Sequence, residues 1–599
     1  MRWSASFFGR GLIRLFSSAA VAVSVLILGI PLAALLWTAA DFLSGISLLD
    51  LLLDRTWTPG FAVPQFGLLS LVVGTFQVAV VALLTGGIGG VLLGWWSVAA
   101  REDFVRKRLG KWIGWYSVTP GLAWAFLLLV FLIPLLRAVL LQVGVELGGY
   151  SGLAGGLGVG TVILPGVASR VRRRARDGVS RWSLSAVGLG LPNHVVTRTI
   201  VWRDVSATLG PVMLLALAEA VAESVVVTLV AGQTPRSGLS LSQPVQTVGA
   251  FLVQTSLGDV SPGSPGRGPV AFVALLLLAV CALFAASAKC GGKLGGFIKE
   301  DTSSNSIPPS VWKHPEGYLR RPEKRGKGGW AYTAAWGAGL PALVLWILLL
   351  GYALAGAAGW LRGTLSSTGA SFQIPFVLWG GLWLVLLSTA GAAVLSLGLL
   401  LCEAPRSDYE KYRFTQALGV WIERARSVPP VVWGVSVVCA LPWVDGAAGS
   451  LGGGVWALLC CLLPYGLRNM RKTAGRVPSS VWTAAAGLGL DRKIVWRDLI
   501  LSYPKRTLLG TVIETAAARM SEAGPILIVG AVVLVTFPPM SLSDPLATAP
   551  THGFFWLTRL EAGFGGAAAL LLCLWFGAAH LLRWWGRRLQ STGARSRPW

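Results

Sequence analysis

The chain has 599 residues, of which 54% are hydrophobic and 13% charged, and its mean hydropathy is +0.66. A soluble protein carries about 25% charged residues, so this composition excludes an ordinary soluble protein and favours an integral membrane protein. The net charge of +25 would suit a nucleic-acid partner, but its distribution along the chain excludes one.

The basic residues are confined to segments between apolar stretches. Seven segments hold 44 of the 51 Lys and Arg residues, namely 1–18, 99–116, 170–208, 289–328, 403–426, 468–508 and 583–599. By the positive-inside rule these segments face the cytoplasm, and this places both termini there. The charge is therefore explained by orientation in a membrane and contact with its lipid, with no nucleic acid.

Twelve apolar stretches are long enough to cross the bilayer, because about 20 helical residues span the hydrocarbon core. They are 19–41, 69–97, 117–139, 151–169, 207–232, 269–288, 333–357, 375–402, 428–446, 451–467, 508–535 and 557–582. The first is long enough to span and is followed by no clean small-x-small cleavage site, which favours a retained helix over a signal peptide. We therefore predict an all-α integral membrane protein with about 12 transmembrane helices.

The spans divide into two groups of six around a polar segment. The predicted divisions are a cytoplasmic N-terminus 1–18, a first module 19–288, a cytoplasmic linker 289–330, a second module 331–585 and a cytoplasmic tail 586–599. The seven cysteines lie in or near apolar stretches without a CxxC motif, and the four histidines are scattered. Neither pattern indicates a metal site, and we expect no cofactor.

The same module occurs twice in the chain. Ile163-Leu164-Pro165 reappears as Leu462-Leu463-Pro464, an offset of 299 residues (464 − 165), and Glu223 reappears as Glu522 at the same offset. Repeats of this size are typical of transporters whose two halves surround a shared pathway.

A glycine turn follows the fourth span of each half, at Gly190 and at Gly489. The pattern around it predicts a short helix, the turn and a second amphipathic helix, flanked by basic residues. An apolar face with a polar rim fits a groove on a partner protein.

Charged residues lie inside the fifth span of each half. Such charges are costly unless they are paired or face water. Arg519 and Glu522 are three residues apart and can pair on one helix face. Glu219 and Glu223 are four apart and repel each other, so we expect a cation from the other half, or a shared proton, beside them.

The glycine-turn segments resemble the "EAA" cytoplasmic loop of ABC importer permeases, whose pattern is Glu-Ala-Ala, three residues, then Gly. Both glycines are in place, while Leu184 and Thr483 stand at the Glu position. The resemblance implies that two copies of an ATPase subunit dock on these loops. The residues it implicates are Ala186, Gly190, Arg203, Ala485, Gly489 and Arg497.

The fifth spans resemble those of the two permeases of the phosphate-specific (Pst) importer, which have MetI-like transmembrane domains. The stretch from Ala218 to Arg236 is similar to the PstC type, and the stretch from Ala518 to Ala531 to the PstA type. The order of motifs extends this resemblance over 19–288 and 333–585. One departure is that Glu219 stands where the family has an arginine.

This resemblance implies a fused permease that moves inorganic phosphate by alternating access. It also implies an external phosphate-binding protein, for which loops 233–268 and 536–556 are candidate docking surfaces. The residues that it places along the substrate pathway are Arg519, Ser521, Glu522, Glu223 and Glu219.

No Gly-x-x-x-x-Gly-Lys-Ser/Thr motif occurs in the sequence. ATP hydrolysis is therefore expected on a separate chain, and this chain is expected to be a permease subunit and not an enzyme. Two alternatives remain open: an ABC permease for another oxyanion such as sulfate or molybdate, and an ion-coupled secondary transporter, since those also use repeats and intramembrane acids.

Overall fold

The chain is described here from a computed structural model, and the part that the structure describes is mostly helical. Within the described residues two short strands, Trp57–Thr58 (β1) and Gln65–Phe66 (β2), pair in antiparallel register. This confirms the predicted all-α class. The residues that the structure describes are 2–47, 51, 54–59, 64–100, 102–117, 119–191, 195–257, 266–294, 344, 347–348, 350–351, 354–355, 358, 370–402, 409–444, 449–474, 484, 487–489, 505–520, 524–530, 539–558 and 562–595.

The described helices of the first half are numbered here in chain order. They are α1 (Arg2–Ser44), α2 (Leu69–Ala99), α3 (Asp103–Tyr116), α4 (Gly121–Gln142), α5 (Gly152–Gly188), α6 (Val196–Ser206), α7 (Leu209–Ala222), α8 (Val225–Val230), α9 (Val248–Leu257) and α10 (Arg267–Leu294).

The longer helices described for the second half repeat this order from the second span onward. They are α11 (Ala370–Cys402), α12 (Tyr409–Arg424), α13 (Pro430–Ala440), α14 (Leu451–Ala474), α15 (Lys505–Arg519), α16 (Gly524–Gly530), α17 (Ala549–Thr558) and α18 (Ala562–Arg595).

Eight helices in the described part of the chain are long and apolar enough to cross a membrane. All eight coincide with predicted spans: α1, α2, α4, α5, α10, α11, α14 and α18. Two bent helix pairs, one of 55° at α6–α7 and one of 108° at Gln416–Ser427 with Pro430–Trp443, raise the number to 10 at most. The described residues therefore give fewer spans than the predicted 12, because the fifth spans are interrupted and most of 333–357 lies outside the described ranges.

The fourth span of the first half is much longer than the predicted 151–169. Helix α5 runs without interruption for 37 residues to Gly188. It is therefore about 55 Å long, whereas the hydrocarbon core is about 30 Å thick. Its far end projects past the membrane and carries the Gly190 turn; we call this the glycine-turn end of the bundle, and the opposite end, with residues 232–247 and 540–548, the loop end.

Glycines allow the helices of the first half to pack at short distance. A Cβ on Gly86 of α2 would lie 2.6 Å from the carbonyl carbon and 2.7 Å from the Cα of Gly160 on α5. The backbones of α2 and α5 thus touch at a point where neither has a side chain. Close backbone approach of this kind replaces the hydrophobic driving force that lipid does not supply between helices.

The two halves interlock through their first helix. Helix α1 packs on α10 of its own half and on α11 and α13 of the second half. The indole N–H of Trp456 in α14 donates to the carbonyl of Ile27 in α1 at 3.0 Å. Ala20 and Leu28 of α1 are buried in a cluster that otherwise consists of second-half residues. The halves are therefore not independent bundles joined by a linker.

We expect Gly86→Val to destabilise the bundle, because a larger side chain would force α2 away from Gly160. Overpacking of this kind costs about 1–3 kcal/mol, which a lowered midpoint of thermal unfolding in detergent would reveal. Gly29→Val in α1 is the matched control, since a Cβ at Gly29 meets no atom within 4 Å. Equal unfolding midpoints for the two variants would contradict the close packing of α2 on α5.

Candidate functional site

The fifth span of each half is broken at the same place. Helix α7 ends at Ala222, Glu223 has an extended backbone (φ −70°, ψ 127°), and α8 begins at Val225. In the second half α15 ends at Arg519 and α16 begins at Gly524. Irregular backbone at membrane depth is tolerated only where it is buried in protein or lines a water-filled cavity. The paired breaks are therefore candidate positions for a functional site.

Side chains and backbone satisfy the polar groups freed at the breaks. The Glu223 carboxylate accepts a hydrogen bond from the amide of Val226 at 3.3 Å, which caps the start of α8. In the second half the buried indole of Trp575 donates to the carbonyl of Met520 at 2.7 Å. Both breaks are thus built into the fold.

The two breaks face each other across the boundary between the halves. A Cβ on Gly524, the first residue of α16, would lie 3.7 Å from the Ser224 hydroxyl oxygen. Helix α9 covers the first break: a Cβ on Gly249 would lie 2.8 Å from the Glu223 carbonyl oxygen and 3.1 Å from the Cα of Ser224. The packing is reciprocal, since α9 also contacts α16, and α17 contacts α8 and α4.

Of the predicted pathway residues, Glu223 lies at this junction. It is half-buried, and a Cβ on Gly121 of α4 would lie 3.8 Å from its Oε1. Arg519 is the last residue of α15 and so stands at the second break. Ser521 and Glu522 lie outside the described residues.

Glu219 pairs with a cation that sequence reasoning did not anticipate. Arg170 of α5 contacts it through both terminal nitrogens: Nη1 lies 3.2 Å from Oε2, and Nη2 bonds Oε1. We expected a cation from the other half or a shared proton; the partner instead comes from the fourth span of the same half. It does so because α5 stays helical beyond residue 169, which carries Arg170 alongside α7.

The ion pair lies on the glycine-turn side of the first break. Val162, Gly166 and Arg170 follow one another at four-residue spacing on α5, and Glu219 stands in the last turn of α7, four residues before Glu223. A Cβ on Gly121 would meet both Val162 and Glu223, and one on Gly166 would lie 3.2 Å from Oε2 of Glu219. The pair is therefore close to the break, where α5 packs on α7.

The glycine of each turn has a left-handed backbone conformation. Gly190 has φ +66°, and the amide of Leu191 donates to the carbonyl of Ala186 at 2.9 Å, which is a Schellman C-cap. Gly489 has φ +63°. The leucine before each glycine projects outward, with Leu189 74% and Leu488 75% exposed.

The other residues predicted for docking differ in their surroundings. Ala186 is 3% exposed and lies within the core cluster that also holds Val196 and Val201 of α6, so it is not on the surface of the turn. Arg203 of α6 is exposed. Ala485 and Arg497 lie outside the described ranges. The glycines and leucines of the turns, but not Ala186, can therefore reach a partner.

At the loop end the two halves repeat their hydrogen bonds. The amide of Gly152 donates to the carbonyl of Gln243 at 3.0 Å, and that of Leu451 to the carbonyl of Asp544 at 2.9 Å. The Ser151 hydroxyl accepts from the amide of Ala154, and its counterpart Ser450 accepts from Gly453, both at 3.2 Å. These bonds satisfy the first amides of the fourth spans.

The loop end also carries polar groups without an assigned role. The hydroxyl of Ser541 and the amides of Met540 and Ser541 donate to the Asp544 carboxylate and hold its pKa below the usual range. An open cavity of about 390 Å³ lies at the loop end of the first half. Its lining includes two arginines and three hydroxyl side chains: Arg55, Arg236, Thr56, Ser237 and Ser240.

Three residues of the site were missed from the sequence. Arg170 belongs to a run of five arginines in 170–176 that the charge pattern assigned to a solvated segment. Ser224 and Gly249 are small residues that matter through their packing: Gly249 lies against Ser224, and Gly524 lies near the Ser224 hydroxyl. Arg170 is four residues after Gly166, so the two share one face of α5 if the helix continues. The sequence alone does not show that α5 continues past the membrane.

Comparison with known proteins gives one distant relative. The probable ABC transporter permease protein YqgH of Bacillus subtilis (strain 168) is 23% identical over 246 residues, which cover 40% of this chain and 76% of that protein. No family model and no solved structure matches the chain. The similarity supports the ABC permease family for this chain, and together with the helical membrane architecture it is consistent with a permease subunit that is not itself an enzyme.

We expect Gly249→Val to disturb the first break, because the added side chain would collide with the Glu223 carbonyl and Ser224. Thermal unfolding in detergent should show a loss of about 1–3 kcal/mol, as for other overpacked sites. Gly210→Val in α7 is the control, since a Cβ there meets no atom within 4 Å. A Gly249→Val protein as stable as the control would show that α9 does not pack on the break.

Proposed function

We propose that the chain is the fused permease of an ABC importer, in which one polypeptide supplies both membrane halves and inorganic phosphate passes between them. The observation that carries the proposal is the pairing of two broken fifth spans at the contact of Ser224 with Gly524. Half-helices that meet at the boundary of two repeats are the common way in which transporters build a substrate site at membrane depth.

The glycine turns supply the coupling in this proposal. Modules 19–288 and 331–585 each present one turn at the cytoplasmic face of a bacterial inner membrane, and two copies of an ATPase subunit dock there. The exposed Leu189 and Leu488 are the apolar contacts. Because α5 is continuous from the loop end to Gly188, a displacement of the turn moves the whole fourth span relative to α7.

The substrate pathway in this proposal runs past the two breaks. Glu223 lies at the first, and Arg519, Ser521 and Glu522 belong to the second. A loaded phosphate-binding protein docks at the loop end, on the surface parts of 233–268 and 536–556, which include the exposed side chains of Leu239 and Met540. Rocking of the halves then opens the pathway to the glycine-turn end in alternation with the loop end. Glu219 in place of the family's arginine is the feature that keeps another oxyanion, such as sulfate or molybdate, as the second candidate.

Uptake of labelled phosphate, measured in cells with and without the chain, tests the function. We expect deletion to remove an uptake that requires ATP and that excess sulfate does not inhibit. ATP depletion separates this proposal from an ion-coupled secondary transporter, whose uptake follows the ion gradient. Unchanged phosphate uptake on deletion would contradict phosphate as the substrate and leave sulfate and molybdate to be measured next.

Replacement of both turn glycines should uncouple the transporter. In Gly190→Leu/Gly489→Leu each leucine would occupy a left-handed conformation that costs about 1–2 kcal/mol, so the turns would reshape and lose their fit to the ATPase. Uptake should fall to the background level while the amount of protein in the membrane is unchanged. Gly114→Leu, at a position with no atom within 4 Å of an added Cβ, should transport normally. Normal uptake by the double variant would exclude the turns as docking sites.

A further inference from the structure

We propose that Arg170 is the cation with which the first half binds the translocated oxyanion, and that Glu219 holds Arg170 as an internal counter-ion that the anion displaces. The inference rests on the proposed function, since it requires an oxyanion as substrate. It concerns a residue on the fourth span that lies outside every motif considered above.

The geometry of the pair suits this exchange. Both terminal nitrogens of the Arg170 guanidinium bond the two oxygens of the Glu219 carboxylate. The same planar pair of donors fits two oxygens of a phosphate or sulfate ion. An oxyanion can therefore replace the carboxylate on the guanidinium without any change in the number of hydrogen bonds.

The pair is open to a substrate. The side chain of Arg170 is 28% exposed and that of Glu219 is 44% exposed. Charged groups within a membrane span face protein or a water-filled path, because lipid contact is too costly for them. Glu219 stands in the last turn of α7, four residues before Glu223.

The second half shows that packing of these two helices does not require a charged pair. Asn469 stands at the position of Arg170, at the repeat offset of 299 (469 − 170), and donates to the hydroxyl of Thr515 in α15 at 3.1 Å. A neutral hydrogen bond thus joins the fourth span to the fifth in that half. The charges of Arg170 and Glu219 are therefore not required for the fourth span to pack on the fifth.

Glu219 makes anion binding at Arg170 weak and reversible. A bare guanidinium at membrane depth would be costly and would retain an anion, whereas transport requires that the anion bind and then leave. With Glu219 beside it, Arg170 is neutralised before the anion arrives and after it departs. Glu219, which stands where the resembled family has an arginine, is then part of an anion site. The cation of that site is Arg170 of α5.

The test compares uptake of labelled phosphate, sulfate and molybdate by full-length variants, with the amount of protein in the membrane measured in parallel. For the oxyanion that the unaltered chain transports, Arg170→Gln/Glu219→Gln should lower kcat/KM about tenfold or more, as expected for loss of charged hydrogen bonds. Glu219→Gln alone should lower KM, because the competing carboxylate is gone, and lower kcat, because release is slower.

The matched control is the exposed pair of Arg106 with Asp103 on α3, for which Arg106→Gln/Asp103→Asn should leave uptake unchanged. A purely structural role predicts that Arg170→Gln/Glu219→Gln transports normally, because neither charge is left unpaired; that result would overturn the inference. If this double variant does not reach the membrane, Glu219→Gln decides, and a raised or unchanged KM would overturn it.

The experiment distinguishes an error in the proposed function from an error in this inference. If the unaltered chain transports sulfate or molybdate, only the phosphate assignment is wrong, and the variants are compared on the transported ion. If the unaltered chain transports none of the three ions, both proposals are wrong. If it transports one of them and Arg170→Gln/Glu219→Gln does so equally well, the inference alone is wrong.

Discussion

The structure depends on one constraint, which is that a helix interrupted at membrane depth must have its freed backbone groups satisfied by protein. Each interruption is covered by elements from both halves. Gly249 packs on Glu223 and Ser224, Gly524 contacts Ser224, and Trp575 bonds the Met520 carbonyl. The close fit of the two halves and the concentration of glycine at their boundary follow from this requirement, because only residues without side chains let a backbone approach another backbone so closely.

The two halves share several backbone features and differ in their charges. Serine caps, loop hydrogen bonds, positive-φ glycines and helix breaks recur in both halves. At the position of Arg170, however, the second half has Asn469, which bonds Thr515, and Ala518 stands at the position of Glu219. Two copies of one fold thus supply a symmetric scaffold, and single residues make the two sides of the central contact chemically different. A fused chain can keep such a difference, because neither half can be exchanged for the other.

The sequence predicts the features that depend on local pattern. Apolar length located eight spans, and residue spacing located the repeat and the two turns that the structure ends at Gly190 and Gly489. Hydropathy could not locate the breaks of the fifth spans, since an average over a whole span does not resolve an interruption of a few residues between two helices. It also ended the fourth span at residue 169, because arginines lower the hydropathy of a helix that in fact continues to Gly188. For the same reason it could not bring Arg170 to Glu219, a contact that depends on the crossing of two helices 49 residues apart in the chain.

The bond from Trp456 to Ile27 joins residues 429 positions apart, and this separation has a consequence for biosynthesis. A ribosome adds about 5–20 residues per second. The first helix is therefore in the bilayer for roughly 20–90 s before the helix that it packs against has been made. During that time the face of α1 with Ala20 and Leu28 is covered by lipid or by an insertion factor. Assembly of the first half is then completed only as the last third of the chain is translated.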